Sequence, residues 1–220
     1  MLFRSDSASP KQYLQLAGRT VLEWSIAPLL AREDCAGVVV VLASGDQRWA
    51  TLPVARDTRV RTAIGGGERA DSVRAGLQAL NESLSVDDWV LVHDAARPCL
   101  RPDELASLID RVRGDAVGGL LAAPLVDTLK RSDGADRVAE TVSRAGLWRA
   151  MTPQMFRVGL LTRALGEAAQ RGVAVTDESQ AVELLGLRPL LVAGSADNIK
   201  ITVADDLLRA ARILAMREQS

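Results

Sequence analysis

The chain has 220 residues, 48% apolar and 25% charged, with 27 Lys plus Arg against 28 Asp plus Glu and a formal net charge of -1. That length suits one sizeable core over 1–220 rather than two full domains. The even balance excludes a broad basic field for DNA or RNA, so an anionic ligand has to be gripped by a few placed cations.

In chain order, the first clear element is Val38-Val39-Val40-Val41-Leu42, a continuous apolar run that predicts a strand buried on both faces. Val60-Arg61-Thr62-Ala63-Ile64 alternates and predicts a more exposed strand. Gly65-Gly66-Gly67 then opens a helix whose apolar stripe is Ala70, Val73 and Leu77. Trp89-Val90-Leu91-Val92 predicts another buried strand. Leu105, Leu108, Ile109 and Val112, spaced i, i+3, i+4 and i+7 behind Pro102, predict a helix. Leu120-Leu121-Ala122-Ala123 is again strand-like. Between Val126 and Arg144, two short strand-like runs flank Asp133-Gly134, which predicts a hairpin too polar to fold alone. It reads as an arm over about 126–145 that packs on something else, such as a second subunit. Leu207, Ala210, Ala211 and Leu214 give a last helix, with Thr202 and Asp205 as its expected cap.

This alternation of strand and helix predicts an α/β fold with a mainly parallel sheet covered on both faces. Ligands in such sheets sit at the carboxyl ends of strands. His93-Asp94-Ala95-Ala96-Arg97-Pro98 follows one strand directly. Asp94 can hold a substrate hydroxyl or a phosphate-borne metal, Arg97 can fork onto phosphate, and the small alanines admit a ligand to the backbone. A plain local ion pair between Asp94 and Arg97 fits as well. His93, the single histidine, reads as structural and is not assigned as a base.

The glycine turn allows close backbone approach at a helix start, where Ser72 could meet a base or ribose. Arg4 and Lys11 near the N-terminus, and Lys200 before the last helix, are cations that could face a polyphosphate or simply solvent. Thr176-Asp177-Glu178 starts a helix. Capping explains it, and the Thr176 hydroxyl could also bind phosphate. Cys35 and Cys99 follow no metal or redox spacing, no apolar stretch approaches the roughly 20 residues of a membrane span, and Met1-Leu2-Phe3-Arg4-Ser5-Asp6 has no targeting pattern. A cytoplasmic protein with free thiols is expected, engaging neither nucleic acid nor membrane.

Segments 10–14, 65–72, 93–98, 127–130, 146–148, 152–154, 176–178 and 197–202 together resemble the 2-C-methyl-D-erythritol 4-phosphate cytidylyltransferases, in order and spacing over essentially the whole chain. The resemblance implies a Rossmann-like fold, a mostly parallel sheet with helices on both faces and a β-hairpin arm. It implies a homodimer whose arm reaches the partner's site. It also implies a reaction in which methylerythritol phosphate attacks the α-phosphorus of CTP in line, with Mg²⁺ on the triphosphate. Arg4, Lys11 and Lys200 match the catalytic cations. Gly66, Gly67 and Ser72 match the cytosine and ribose pocket, and Asp94, Ala95 and Arg97 match substrate and ribose contacts. Thr128, Arg144, Thr152 and Thr176 match residues around methylerythritol phosphate.

Members of that family begin with a buried strand and an Ala-Ala-Gly-x-Gly-x-Arg type loop whose backbone N–H groups cradle the triphosphate. Here Met1 stands three residues before Arg4. Either the start is assigned too late or the chain is truncated; if it is truncated, the 220-residue chain is expected to leave ladder groups of neighbouring strands unpaired and to turn over weakly or not at all. Two alternatives stay open. One is a cytidylyltransferase for ribitol 5-phosphate; the other is a nucleotide-binding dimer with impaired catalysis.

Overall fold

The computed structural model describes residues 10–80 and 84–217. A small antiparallel pair, β1 (Gln15–Leu16) and β2 (Arg19–Thr20), leads into α1 (Val21–Leu30). Thr20 caps α1 reciprocally: its hydroxyl accepts from the Glu23 N–H at 3.2 Å, and the Glu23 carboxylate accepts from the Thr20 N–H at 2.9 Å. Then follow β3 (Val38–Leu42), β4 (Val60–Ile64), α2 (Arg69–Leu80), β5 (Trp89–Val92), α3 (Pro102–Val112) and β6 (Gly118–Pro124). The chain continues with β7 (Leu129–Ser132), β8 (Val138–Val142), β9 (Trp148–Arg157), α4 (Val158–Gln170), α5 (Glu178–Glu183), β10 (Leu190–Ala193) and α6 (Ala204–Arg217).

Four strands form one sheet in the order β10-β6-β9-β5. β10 runs parallel to β6, and β9 runs antiparallel to both β6 and β5, with Gln154 opposite Leu120 on one side and Val92 on the other. β5, β6 and β10 therefore point the same way, and β9 alone opposes them. The period of two sends neighbouring β9 side chains to opposite faces. Met155 packs with Leu105, Leu108 and Val112 of α3. Phe156 packs with Leu77 of α2, Leu161 and Leu165 of α4, and Val182 of α5. Helices thus cover both faces, and the expected α/β arrangement stands with one antiparallel strand at its centre.

β3 and β4 form a separate parallel pair, Val38 opposite Val60. A cleft of about 900 Å³ lies between this pair and β5, lined by Val38 to Val41 on one wall and Trp89 to Val92 on the other. Among the described residues neither β3 nor β5 pairs with the other, and the facing edge of each lines the cleft. This corrects one sequence expectation. Of β3 only Val40 is buried, and of β5 only Val90, because the cleft opens onto both strands. β4 is largely exposed, as its alternation predicts.

β7 and β8 make the expected hairpin, Leu129 opposite Val142, and nearly all of it is exposed. The cap of α6 differs from expectation. Asp206, not Asp205, accepts from the Thr202 N–H at 2.9 Å and its hydroxyl at 2.7 Å, because the helix begins at Ala204 and its third residue reaches back. No described helix is long and apolar enough to cross a membrane.

Candidate active site

The chain leaves β5 into His93 and Asp94, at the carboxyl end of a strand. Asp94 is held by three cations. Lys200 Nζ lies 3.0 Å from Oδ2, Arg97 Nε 3.3 Å from Oδ2, and Arg69 Nη2 3.3 Å from Oδ1. Burial alone would raise the Asp94 carboxyl; Lys200, Arg69 and Arg97 outweigh it and hold it at about 2. It is an anion at any physiological pH.

Threonine and histidine fix the strand end behind it. The Asp94 N–H donates to the Thr152 hydroxyl at 3.0 Å, and that hydroxyl lies 3.0 Å from His93 Nδ1. His93 Nε2 lies 3.2 Å from the Arg97 carbonyl, which can only accept, so Nε2 carries the proton and Nδ1 accepts from Thr152. Burial pushes the His93 imidazole down to about 4, so it stays neutral. Both ring nitrogens are engaged by protein, in line with a structural histidine.

Elements distant in sequence supply the cations. Arg97 Nη1 donates to the Asn198 carbonyl at 2.7 Å, and Asn198 Nδ2 donates to the Thr152 carbonyl at 2.9 Å. Ile201 N–H donates to the Ala96 carbonyl at 2.8 Å. These bonds tie the loop bearing Lys200 to β5 and β9. Ser25 of α1 donates to the Ala95 carbonyl at 3.1 Å and steadies the turn from below. Ala95 itself is exposed, which leaves its backbone approachable.

Arg69 follows the glycine turn. A Cβ on Gly65 would lie 2.6 Å from Ser72 Oγ, and one on Gly66 would lie 2.4 Å from the Asp71 Cβ, so the turn has no room for side chains at either position. Gly67 has open space instead. The Ser72 hydroxyl donates back to the Glu68 carbonyl at 3.3 Å, within the first turn of α2.

The structure therefore brings Asp94, Ala95, Arg97, Thr152 and Lys200 together, with Gly66, Gly67 and Ser72 at the start of the helix that carries Arg69. Thr152 is buried, and its hydroxyl is taken up by Asp94 and His93. Thr128, Arg144 and Thr176 are exposed and outside this cluster. Arg144 donates to the Val126 carbonyl at the foot of the hairpin, and Thr176 donates to Gln180 Oε1 through both its N–H and its hydroxyl. Lys11 is exposed on a short 3₁₀ turn, with no hydrogen bond or ion pair to the cluster among the described residues. Arg4 lies outside the described residues.

The sequence reading missed two members. Arg69 forks onto Glu178 through both terminal nitrogens, one of them 3.0 Å from Oε2, and Glu178 is fully buried. A signal for both was present. Glu178 shares a helix stripe with Ala181 and Val182, and Arg69 shares one with Val73, Gly76 and Leu80. A charge on an apolar stripe implies a buried partner.

A carboxylate ringed by cations at strand ends, beside a glycine turn on a doubly covered α/β sheet, defines a phosphate-handling α/β enzyme. The comparisons narrow the class. Residues 3–216 match the family model described as "IspD: 2-C-methyl-D-erythritol 4-phosphate cytidylyltransferase". The chain is 53% identical over 210 residues to the 2-C-methyl-D-erythritol 4-phosphate cytidylyltransferase of Pseudomonas paraeruginosa, covering 95% of this chain and 90% of that protein. A crystal structure of a 4-diphosphocytidyl-2C-methyl-D-erythritol synthase superposes with a TM-score of 0.85 at 42% identity, covering 93% of this chain and 95% of that one. The Francisella tularensis cytidylyltransferase structure superposes with a TM-score of 0.84 at 32% identity, covering 93% of each chain. The chain belongs to the 2-C-methyl-D-erythritol 4-phosphate cytidylyltransferase family and is a nucleotidyltransferase.

Proposed function

We propose that this chain joins CTP to 2-C-methyl-D-erythritol 4-phosphate, releasing pyrophosphate and 4-diphosphocytidyl-2-C-methyl-D-erythritol in cytoplasmic isoprenoid synthesis. A phosphate oxygen of the polyol forms a bond to the α-phosphorus of CTP, and the bond from that phosphorus to the bridging oxygen of the β-phosphate breaks. No covalent enzyme intermediate is needed. The observation that carries this reading is Asp94 shared by Lys200, Arg97 and Arg69 at the end of β5.

In this reading Lys200, 41% exposed and bound by a single contact, turns from Asp94 to the substrate phosphates. Arg97 stays with Asp94 and the Asn198 carbonyl, and Asp94 with Ala95 receives the ribose. The Gly66–Gly67 turn and the start of α2 at Ser72 face cytosine and ribose. Arg4 and Lys11 stabilise the charge on the five-coordinate phosphorus. Thr128, Arg144 and Thr176 surround the polyol phosphate, with Thr152 fixing the strand end beneath.

Mg²⁺ carried on the triphosphate would neutralise part of its charge. Asp94 is the carboxylate shared by all three cations, and it could hold the ion together with phosphate oxygens and water. A homodimer is proposed through the hairpin arm, supported by the exposed Val126 and Val138 on and beside it.

The test is pyrophosphate release from CTP and Mg²⁺ with methylerythritol phosphate or ribitol 5-phosphate as acceptor. Release that depends on methylerythritol phosphate and disappears in Asp94→Ala is expected. Release with ribitol 5-phosphate alone would move the assignment to that substrate. The alternative is a nucleotide-binding dimer with impaired catalysis. Calorimetric binding of CTP and Mg²⁺ without any product would establish it in place of the first.

A further inference from the structure

Glu178 is the most deeply buried charge near the site, and the proposed reaction gives it no role. Its side chain is 1% exposed. Its position is fixed from β9. Gln154 Oε1 accepts from the Ser179 N–H at 2.8 Å, and Gln154 Nε2 donates to Asp177 at 3.0 Å. Asp177 in turn caps α5 through the Gln180 N–H at 2.9 Å. Glu178 therefore projects from a turn docked on the central strand, and it meets the full fork of Arg69.

The same guanidinium reaches Asp94, but with one nitrogen only and on the oxygen that Lys200 and Arg97 do not touch. The two arginines and the lysine thus differ in freedom. Lys200 holds Asp94 by a single ammonium on a flexible stem, 41% exposed. Arg69 is committed to a buried carboxylate by two parallel bonds, the geometry that loses least on formation and gives most orientation. When a polyphosphate arrives, Lys200 is the cation that can leave.

We propose that Glu178 is a positioning residue. It clamps Arg69 as a fixed strut against Oδ1 of Asp94, so that Asp94 keeps its orientation when Lys200 turns to the incoming phosphate. Arg69 is then a support, not a phosphate ligand. The proposal rests on the reading of the site as a cytidylyltransferase centre. Without Glu178 the freed guanidinium joins the phosphate-facing cations. Ground-state anion binding is undiminished, and Asp94 loses its bearing in the transition state.

Two variants and two readouts test this. Glu178→Gln should lower kcat, counted per mole of folded protein, by between about 10- and 100-fold, with KM for CTP unchanged or lower, so that a smaller folded fraction cannot imitate the effect. Arg69→Lys keeps the charge and loses the fork, so it should lower kcat while leaving KM for CTP within about 2-fold, and it covers the case in which Glu178→Gln fails to fold. The second readout needs no turnover. Nitrogen-15 resonances of the Arg69 guanidinium should show slowed rotation in the wild type and stay in place when CTP and Mg²⁺ are added, while the Lys200 ammonium resonance moves. A several-fold rise in KM for CTP in Arg69→Lys, or an Arg69 resonance that shifts with CTP, would make Arg69 a ligand and overturn the proposal. Wild-type protein that shows the locked guanidinium but no cytidylyl transfer would refute the functional reading and leave the strut intact.

Discussion

Strands β6 and β3 are built from similar apolar residues and end in different surroundings. In β6, Leu120, Leu121, Ala122 and Ala123 are all buried, with β10 on one edge, β9 on the other and α3 across one face. In β3, Val40 alone is buried, β4 occupies one edge and the cleft lies along the other. Apolar composition states what a strand would gain from burial; the neighbours decide how much of that gain is realised. The site sits at the boundary between the two conditions, because β5 belongs to the closed sheet through β9 and faces the cleft with its other edge.

Removing apolar volume should separate the two regions most clearly. Leu121→Ala in β6 is expected to cost about 3 kcal/mol, since Leu121 is completely buried and its packed surroundings collapse only in part. Urea denaturation followed by circular dichroism measures this. A cost near that of an exposed site would mean that the closed region is looser than its burial indicates.

Acid probes the boundary. The carboxyl of Asp94 lies at about 2 against an ordinary 3.8, so its contribution is fully present above about pH 4 and is lost as pH falls through 2. The loss expected is about 2 kcal/mol. It shows as the difference in denaturation midpoints between wild type and Asp94→Asn at pH 5 and pH 2. Equal acid sensitivity in the two proteins would show that the three cations do not act on Asp94.

The smallest effect belongs to the open region. Val39→Ala in β3, on the wall of the cleft, should cost less than about 1 kcal/mol. A loss as large as that of Leu121→Ala would show that the cleft closes in solution and that β3 and β6 are equivalent after all.

Much of this was legible in the chain. The apolar spacing of Leu105, Leu108, Ile109 and Val112 marked α3, and all four are buried. Asp133-Gly134 marked the hairpin turn. Asp94 and Arg97 were readable together because they follow one strand, whereas Lys200 joined them only through the family resemblance. What the sequence could not express was partnership at long separation. Arg69 and Glu178 are more than a hundred positions apart, and neither looks unusual beside its own neighbours except by lying on an apolar stripe. β9 itself was missed, because Arg149, Thr152, Pro153 and Gln154 interrupt any apolar run along it, and its antiparallel direction follows only from the hairpin of β7 and β8 before it. Asp206 displaced Asp205 at the cap because a boundary shifted by one residue changes which side chain faces back.

Asn198 has one further consequence. It is completely buried, tethered at its amide to β9 and at its carbonyl to Arg97, and Lys200 stands just two residues beyond it. The main chain that delivers the ammonium is thus immobilised during folding itself. Only the four methylenes of Lys200 remain to be ordered when an anion comes in. Capture of that anion then sacrifices the rotamers of one side chain rather than the disorder of a whole loop, a difference that scales with each residue left unfrozen.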